Sequence, residues 1–124
     1  MKSQKIVMIA AALTPTEIMA AWKSGADLIK VFPCNAVGGP TYIKSLKGPF
    51  PEIPLIPTGG VSLETAADFI HAGSAALGIG SELVPTSALD SGKAGVIAEL
   101  AMQFLEIVRE ARDLKATASA VMGG

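Results

Sequence analysis

A lysine stands inside a run of residues that has no structural need for a charge. Lys30 is flanked by Leu28, Ile29, Val31 and Phe32, and the run stops at Pro33, with Gly38-Gly39 close behind. A short aliphatic run closed by turn formers reads as a strand buried on both faces. Two readings of the amine compete. In one, its methylenes lie over apolar neighbours while the ammonium reaches water at the strand end. In the other, desolvation favours the neutral amine, which can add to a carbonyl and form a Schiff base.

Two glycine-bearing stretches bear on that choice. PTGG (Pro57 to Gly60) and GIGS (Gly78 to Ser81) each set glycine amides beside a hydroxyl, Thr58 or Ser81, where a strand gives way to a helical pattern. Backbone N–H groups in such loops can wrap a phosphate without a positive side chain. Either pair alone is equally a tight turn. Together with Lys30 they suggest a site that holds a phosphorylated keto compound and attacks its carbonyl. Glu82, the carboxylate directly at a strand exit, is either a proton shuttle or a solvated rim residue.

The remaining reactive residues have plainer readings. Cys34 is a small, partly buried filler, His71 a surface or interface residue, and Trp22 and Tyr42 are packing residues. No spacing of histidines, cysteines or carboxylates matches a metal site, so neither a metal nor another cofactor is expected.

These groups need elements to position them. Four apolar runs, Ile6 to Ile9, Leu28 to Phe32, Ile53 to Ile56 and Ala75 to Ile79, alternate with helical patterns. That βαβαβαβα order implies a parallel sheet with right-handed crossovers, whose functional groups collect at the strands' C-terminal ends. Thr14, Pro15 and Glu17 form a helix start with a capping box, and Gly25 ends that helix. Pro40 opens a second, short helix. Ser62 is expected to cap a third, which Gly73 stops. The last helix is expected from Ala88 to Lys115, with Val96, Ile97, Leu100, Phe104, Ile107, Val108 and Ala111 on one stripe. The domain spans residues 1–115, and residues 116–124 read as a loose tail.

Composition narrows the partners. With 17% charged residues and a formal net charge of -1, the chain has no electrostatic footprint for nucleic acid or an anionic membrane. Its single cysteine suits a reducing cytoplasm, and the start MKSQKIVMIAAAL is too short a run for a leader or a membrane span. A small molecule or another protein is the expected partner.

The stretches LTPTEIM, LIKVFPCNAVGGPTYIKSLKGPFP, IPTGGVSLETAADFIHAG and ALGIGSELV, from about Ile6 to Leu114, closely resemble the 2-keto-3-deoxy-6-phosphogluconate / 4-hydroxy-2-oxoglutarate aldolase family. The combination of K-x-F-P, G-P-F-P, P-T-G-G and G-S at these spacings is specific. The resemblance covers strands five to eight of the family's (βα)8 barrel. It implies class I aldolase chemistry without a metal, on a keto acid such as pyruvate or a phosphorylated sugar acid. Lys30 would be the Schiff-base lysine, and Phe32 and Pro33 the wall beside it. Thr58 and Gly59 would contact the pyruvyl carboxylate, and Gly60, Gly80 and Ser81 would serve the phosphate end.

Two departures stand out. The family's acid/base glutamate and a carboxylate-binding arginine come from the N-terminal half, which this sequence does not contain, and Ala10-Ala11 replaces the usual Pro-Gly after the fifth strand. Loss of a positioned acid/base costs about 10² to 10⁴-fold in rate.

At 124 residues the chain falls short of the ~200 to 250 residues of a full barrel. The fold expected is α/β, a (βα)4 half of a TIM barrel. Its open face would expose apolar surface worth on the order of 10 kcal/mol. Closure by a homodimer into an eight-stranded barrel is the first expectation, with a higher homo-oligomer also in view. A flavodoxin-like swing of one helix to the open face and a separately encoded N-terminal half are the alternatives. The other functional expectation is a fragment or engineered half-barrel that binds a phosphorylated ligand without efficient turnover.

Overall fold

The computed structural model describes residues 6–123, with side chains through 118; Met1–Lys5, on which part of the leader reading rests, and Gly124 lie outside them. Three parallel strands, β1 (Ile9–Ala12), β2 (Leu28–Val31) and β3 (Leu55–Pro57), run in sequence order. The helices are α1 (Pro15–Lys23), α2 (Pro40–Lys47), α3 (Ala66–His71), α4 (Thr86–Asp90) and α5 (Ala94–Gly123). The α/β, parallel, half-barrel reading stands. Among the described residues no helix is long and apolar enough to cross a membrane.

Side chains alternate across the sheet. Ile29, Val31, Leu55 and Pro57 are buried beneath the helices and join Ile18, Ile43, Leu46, Ile53 and Phe69 in one core. The other face is uncovered: Ile9 is 54% exposed, Ala11 is exposed, and Leu28, Lys30 and Ile56 are half-buried. All helices pack on one side, as in the wall of a barrel, so no helix swings across as in the flavodoxin-like alternative.

The first helix forms as its sequence dictates. The Thr14 hydroxyl accepts from Glu17 N at 3.4 Å while Glu17 Oε1 accepts from Thr14 N at 2.9 Å, completing the capping box. The Tyr42 hydroxyl donates to Leu13 O at 2.6 Å and ties α2 to the β1 exit.

Several boundaries differ from expectation. The first strand begins at Ile9 rather than Ile6, because Met8 is engaged by Asp27: Met8 N donates to Asp27 Oδ2 at 2.8 Å and Asp27 N to Met8 O at 2.8 Å. The third strand lies at Leu55–Pro57 rather than Ile53–Ile56. The fourth expected strand, Ala75 to Ile79, is reduced to one parallel bridge, Thr58 with Gly78. Leu55 O accepts from Ala75 N and Pro57 O from Gly78 N, both at 2.9 Å. Acceptors two residues apart thus meet donors three apart, and the extra residue bulges the segment out of the ladder.

The helices shift too. Ser62 does not cap α3 through its side chain; its N–H donates to Thr65 Oγ1 at 2.9 Å, and a turn delays the helix to Ala66. The long C-terminal helix is broken into α4 and α5 at Gly92. There Lys93 N donates to Ala88 O at 2.9 Å and Gly92 N to Leu89 O at 3.2 Å, with Gly92 at φ +68°. This six-to-one closure ends a helix and needs a left-handed residue. Helical periodicity alone passed over that stop. Beyond it, α5 runs through Gly123, where a loose tail from residue 116 was expected; Ala, Ser and Thr there carry only small helix penalties.

Candidate active site

Register puts Lys30 in the middle of the uncovered face. In the parallel ladders Ala11 pairs with Lys30 and Lys30 with Ile56, so the amine rises between a small and a branched neighbour. Phe32, two residues further on, lies on the same face, 51% exposed, and the Lys30 Nζ sits 5.1 Å from its ring centroid. That distance is within cation–π range of the ring face. The peptide between Phe32 and Pro33 is cis, and Pro33 is half-buried at the turn leaving β2.

Thr58 is tied to this exit by backbone. Thr58 N donates to Val31 O at 3.0 Å and Cys34 N to Thr58 O at 2.9 Å. The third strand's exit loop is therefore clamped to the second's. Gly78 lies so close to Thr58 Oγ1 that a Cβ there would collide with the hydroxyl, which brings the fourth segment's backbone onto the threonine.

Gly59 and Gly60 have φ of +98° and +76°, and a Cβ on either would stand 2.7 Å from Asn35 Oδ1 or 2.6 Å from Asn35 Cβ. Backbone conformation and crowding both require glycine at these two positions. Asn35 was missed in reading the sequence. Its signal was a turn-forming amide two residues after Pro33, which nothing local connects to a glycine pair more than twenty positions away.

The phosphate end is looser than expected. Gly80 has nothing within 4 Å of where a Cβ would lie, and Ser81 and Glu82 are exposed. Leu83 N and Val84 N both donate to Gly80 O, at 2.9 and 3.0 Å, making a turn. The helices expected close behind the two glycine pairs begin only at Ala66 and Thr86. The structure thus brings together Lys30, Phe32, Pro33, Thr58, Gly59 and Gly60 across neighbouring strand exits, and leaves Gly80, Ser81 and Glu82 on a surface turn.

The expected dry amine is not delivered by one chain. Lys30 is half-buried on a face that no described residue covers. Among the plainer residues, Cys34 is fully buried and its Sγ approaches Gly39 O at 3.6 Å. Burial pushes its thiol up to about 11. His71 is exposed at the end of α3.

Comparison with known proteins agrees with this geometry. Residues 1–100 match the family described as KDPG and KHG aldolase. The chain is 32% identical over 108 residues to the 2-dehydro-3-deoxy-phosphogluconate aldolase of Pseudomonas aeruginosa, covering 87% of this chain and 49% of that protein. The chain spans about half the length of the curated relatives it matches. Among solved structures, a native KDPGal structure superposes with a TM-score of 0.80 at 33% identity, over 90% of this chain and 52% of that one. A KDPG aldolase from Legionella pneumophila, with pyruvate captured as a covalent carbinolamine, superposes with a TM-score of 0.70 at 30% identity, over 76% of this chain and 46% of that one.

Proposed function

Because the chain belongs to the KDPG and KHG aldolase family, we propose that it is one half of a class I aldolase, cleaving a phosphorylated 2-keto-3-deoxy sugar acid to pyruvate and an aldehyde. The observation that carries this reading is the placement of Lys30 on the inner face, flanked by Ala11 and Ile56 and followed by the clamped Thr58–Gly60 turn. The Lys30 amine adds to the C2 carbonyl and water leaves, giving an iminium. A base takes the C4 hydroxyl proton, the C3–C4 bond breaks, and its electron pair enters the iminium as an enamine while the aldehyde departs. Protonation at C3 and addition of water release pyruvate and the free amine.

Thr58 and Gly59 offer a hydroxyl and an amide to the pyruvyl carboxylate, and Gly60, Gly80 and Ser81 serve the phosphate. Phe32 and Pro33 wall the amine. Glu82 is the chain's own candidate for the proton steps. The Legionella structure, in which pyruvate is held covalently, supports the chemistry, and no metal or other cofactor takes part in it. The partner is the small-molecule keto acid together with a second copy of the chain that completes the barrel, in a cytoplasmic setting that suits Cys34 as a free thiol.

A second reading is favoured by the exposure of Glu82: a half-barrel that assembles and binds a phosphorylated ligand but turns it over poorly for want of a positioned acid/base. Borohydride trapping separates the two. Incubation with pyruvate and borohydride is expected to add a lactyl-sized mass at Lys30 and at no residue of Lys30→Arg. Absence of label at Lys30, under conditions that label a full-length relative, would sink the aldolase reading. Labelling without retro-aldol turnover selects the binding-only half.

A further inference from the structure

One polar side chain at the strand exits has no task in the chemistry above. Asn35 lies in a single turn of 3-10 helix, Cys34–Val37, just past the end of β2. The residue before it is fixed: Cys34 is buried, and Cys34 N donates to Thr58 O at 2.9 Å. The Asn35 side chain is thereby laid against the turn that leaves β3. A Cβ built on Gly60 would stand 2.6 Å from Asn35 Cβ and 3.5 Å from its Cγ, and one built on Gly59 would stand 2.7 Å from Asn35 Oδ1. The carboxamide therefore lies across both glycines.

Polar groups that the fold does not use meet at this place. Gly59 and Gly60 have φ of +98° and +76°, and among the described residues neither N–H donates a hydrogen bond. The Asn35 carboxamide likewise has no hydrogen-bond partner among the described residues. Asn35 and Gly60 are exposed and Gly59 is half-buried, so all three are open to a ligand. The turn itself is held. Thr65 Oγ1 donates to Gly60 O at 2.8 Å, and Thr58 bonds the β2 exit through both its N–H and its carbonyl. Donors that the fold fixes but leaves unspent can serve an anion without reorganising.

The type of side chain matters as much as its place. An acid here would set a negative charge against the two amides, whereas a carboxamide brings N–H donors and no charge. Its seat depends on the glycines, because a Cβ on either would displace it.

We propose that Asn35 is a specificity residue for the anionic end of the substrate: its carboxamide N–H donates to the same oxyanion that the Gly59 and Gly60 amides hold. The inference rests on the aldolase reading for the source of that oxyanion, which is the pyruvyl carboxylate at Gly59 or the phosphate at Gly60. Affinity at this turn then depends on position 35 being a neutral donor.

The amide chemical shifts of Gly59 and Gly60, followed while the isotope-labelled chain is titrated with lactate or with inorganic phosphate, test this. Lactate carries the carboxylate but no carbonyl for Lys30 to attack. Asn35→Asp keeps the shape and adds a negative charge beside the bound oxyanion, and affinity is expected to fall about 10-fold. Asn35→Ala keeps the Cβ that packs on Gly60 and removes the donor, and should lose about 3-fold. The anion whose affinity drops in Asn35→Ala identifies the end of the substrate that Asn35 touches. Circular dichroism verifies folding, and Asn35→Ala carries the test if Asn35→Asp unfolds.

A side chain that merely spaces the turn would leave anion affinity unchanged in Asn35→Asp, which has the same shape; that result overturns the inference. So do Gly59 and Gly60 amides that respond to neither anion. Pyruvate trapping is read separately. An unlabelled Lys30 with anion binding that depends on Asn35 sinks the aldolase chemistry alone, and a labelled Lys30 with anion binding indifferent to Asn35 sinks this inference alone.

Discussion

The two faces of the sheet are built from alternate residues of the same strands and behave as different materials. On the helix-covered face Ile29, Val31, Leu55 and Pro57 are buried to completion by the chain's own elements. On the other, Ile9, Ala11, Lys30 and Ile56 stay wholly or partly open. The covered face is finished within one chain, so its residues answer for stability. The open face holds Lys30, the amine proposed above to react, and no described residue covers it, so its residues contribute less to the stability of this core.

Substitutions that cross this division test it, beginning with the largest effect. Lys30→Arg is expected to abolish pyruvate trapping completely while leaving the thermal midpoint within a few degrees; a large loss of stability would mean that the lysine belongs to the core after all. Leu55→Ala, on the covered face, should cost about 2 to 5 kcal/mol in denaturant unfolding, since it opens a cavity among residues with no freedom to collapse. The equivalent truncation on the open face, Ile56→Ala, should cost clearly less in an isolated chain. Equal costs would erase the distinction between the faces.

Gly60→Ala tests the clamp between the strand exits. It combines a positive φ with a collision against Asn35, and about 1 to 3 kcal/mol of destabilisation is expected. Asn35→Gly in the same chain should recover part of the loss, because it removes the Asn35 Cβ that crowds the new one.

A smaller effect follows from Cys34. Its thiol is pushed from an ordinary 9.0 up to about 11 by burial. The unfolded thiol ionises first, so the contribution is intact below pH 9 and is lost as the pH climbs from there through 11. The loss is on the order of 2 kcal/mol. Cys34→Ala should flatten this alkaline limb of the stability profile, measured by urea unfolding at a series of pH values. Glu17 works in the opposite direction. The backbone N–H of Thr14, then its hydroxyl and the N–H of Leu13, hold the Glu17 carboxyl below the usual carboxylate range. The capping box therefore contributes above the ordinary carboxylate value and weakens as the pH falls below it. A Glu17→Gln chain should lose that acid-side slope.

Local signals were legible where the physics is local. The Thr14–Glu17 capping box, the proline at the head of α2 and the parallel order of the first three strands each depend on residues close in sequence, or on a period that repeats within a few positions. The bulge at Ala75–Ile79 and the break at Gly92 were not legible. The first arises from a mismatch between acceptor spacing on β3 and donor spacing on the next segment, and the second is a single-residue stop inside a run whose apolar periodicity continues through it. Asn35 escaped for a related reason, since its partners lie far along the chain.

By itself the sequence determined that a lysine stands inside the second strand run and that glycine pairs mark the strand exits. These follow from the apolar run, turn chemistry and the family's motifs. Only the tertiary structure decided that the helices gather on one side, that Lys30 lies between Ala11 and Ile56 in register, that Thr58 is clamped to β2 while Ser81 and Glu82 lie exposed on a turn, and that the face carrying Lys30 is open among the described residues. Those outcomes depend on which surfaces find a partner in space, and a pattern written along one chain records the apolar residues that need covering but not what covers them.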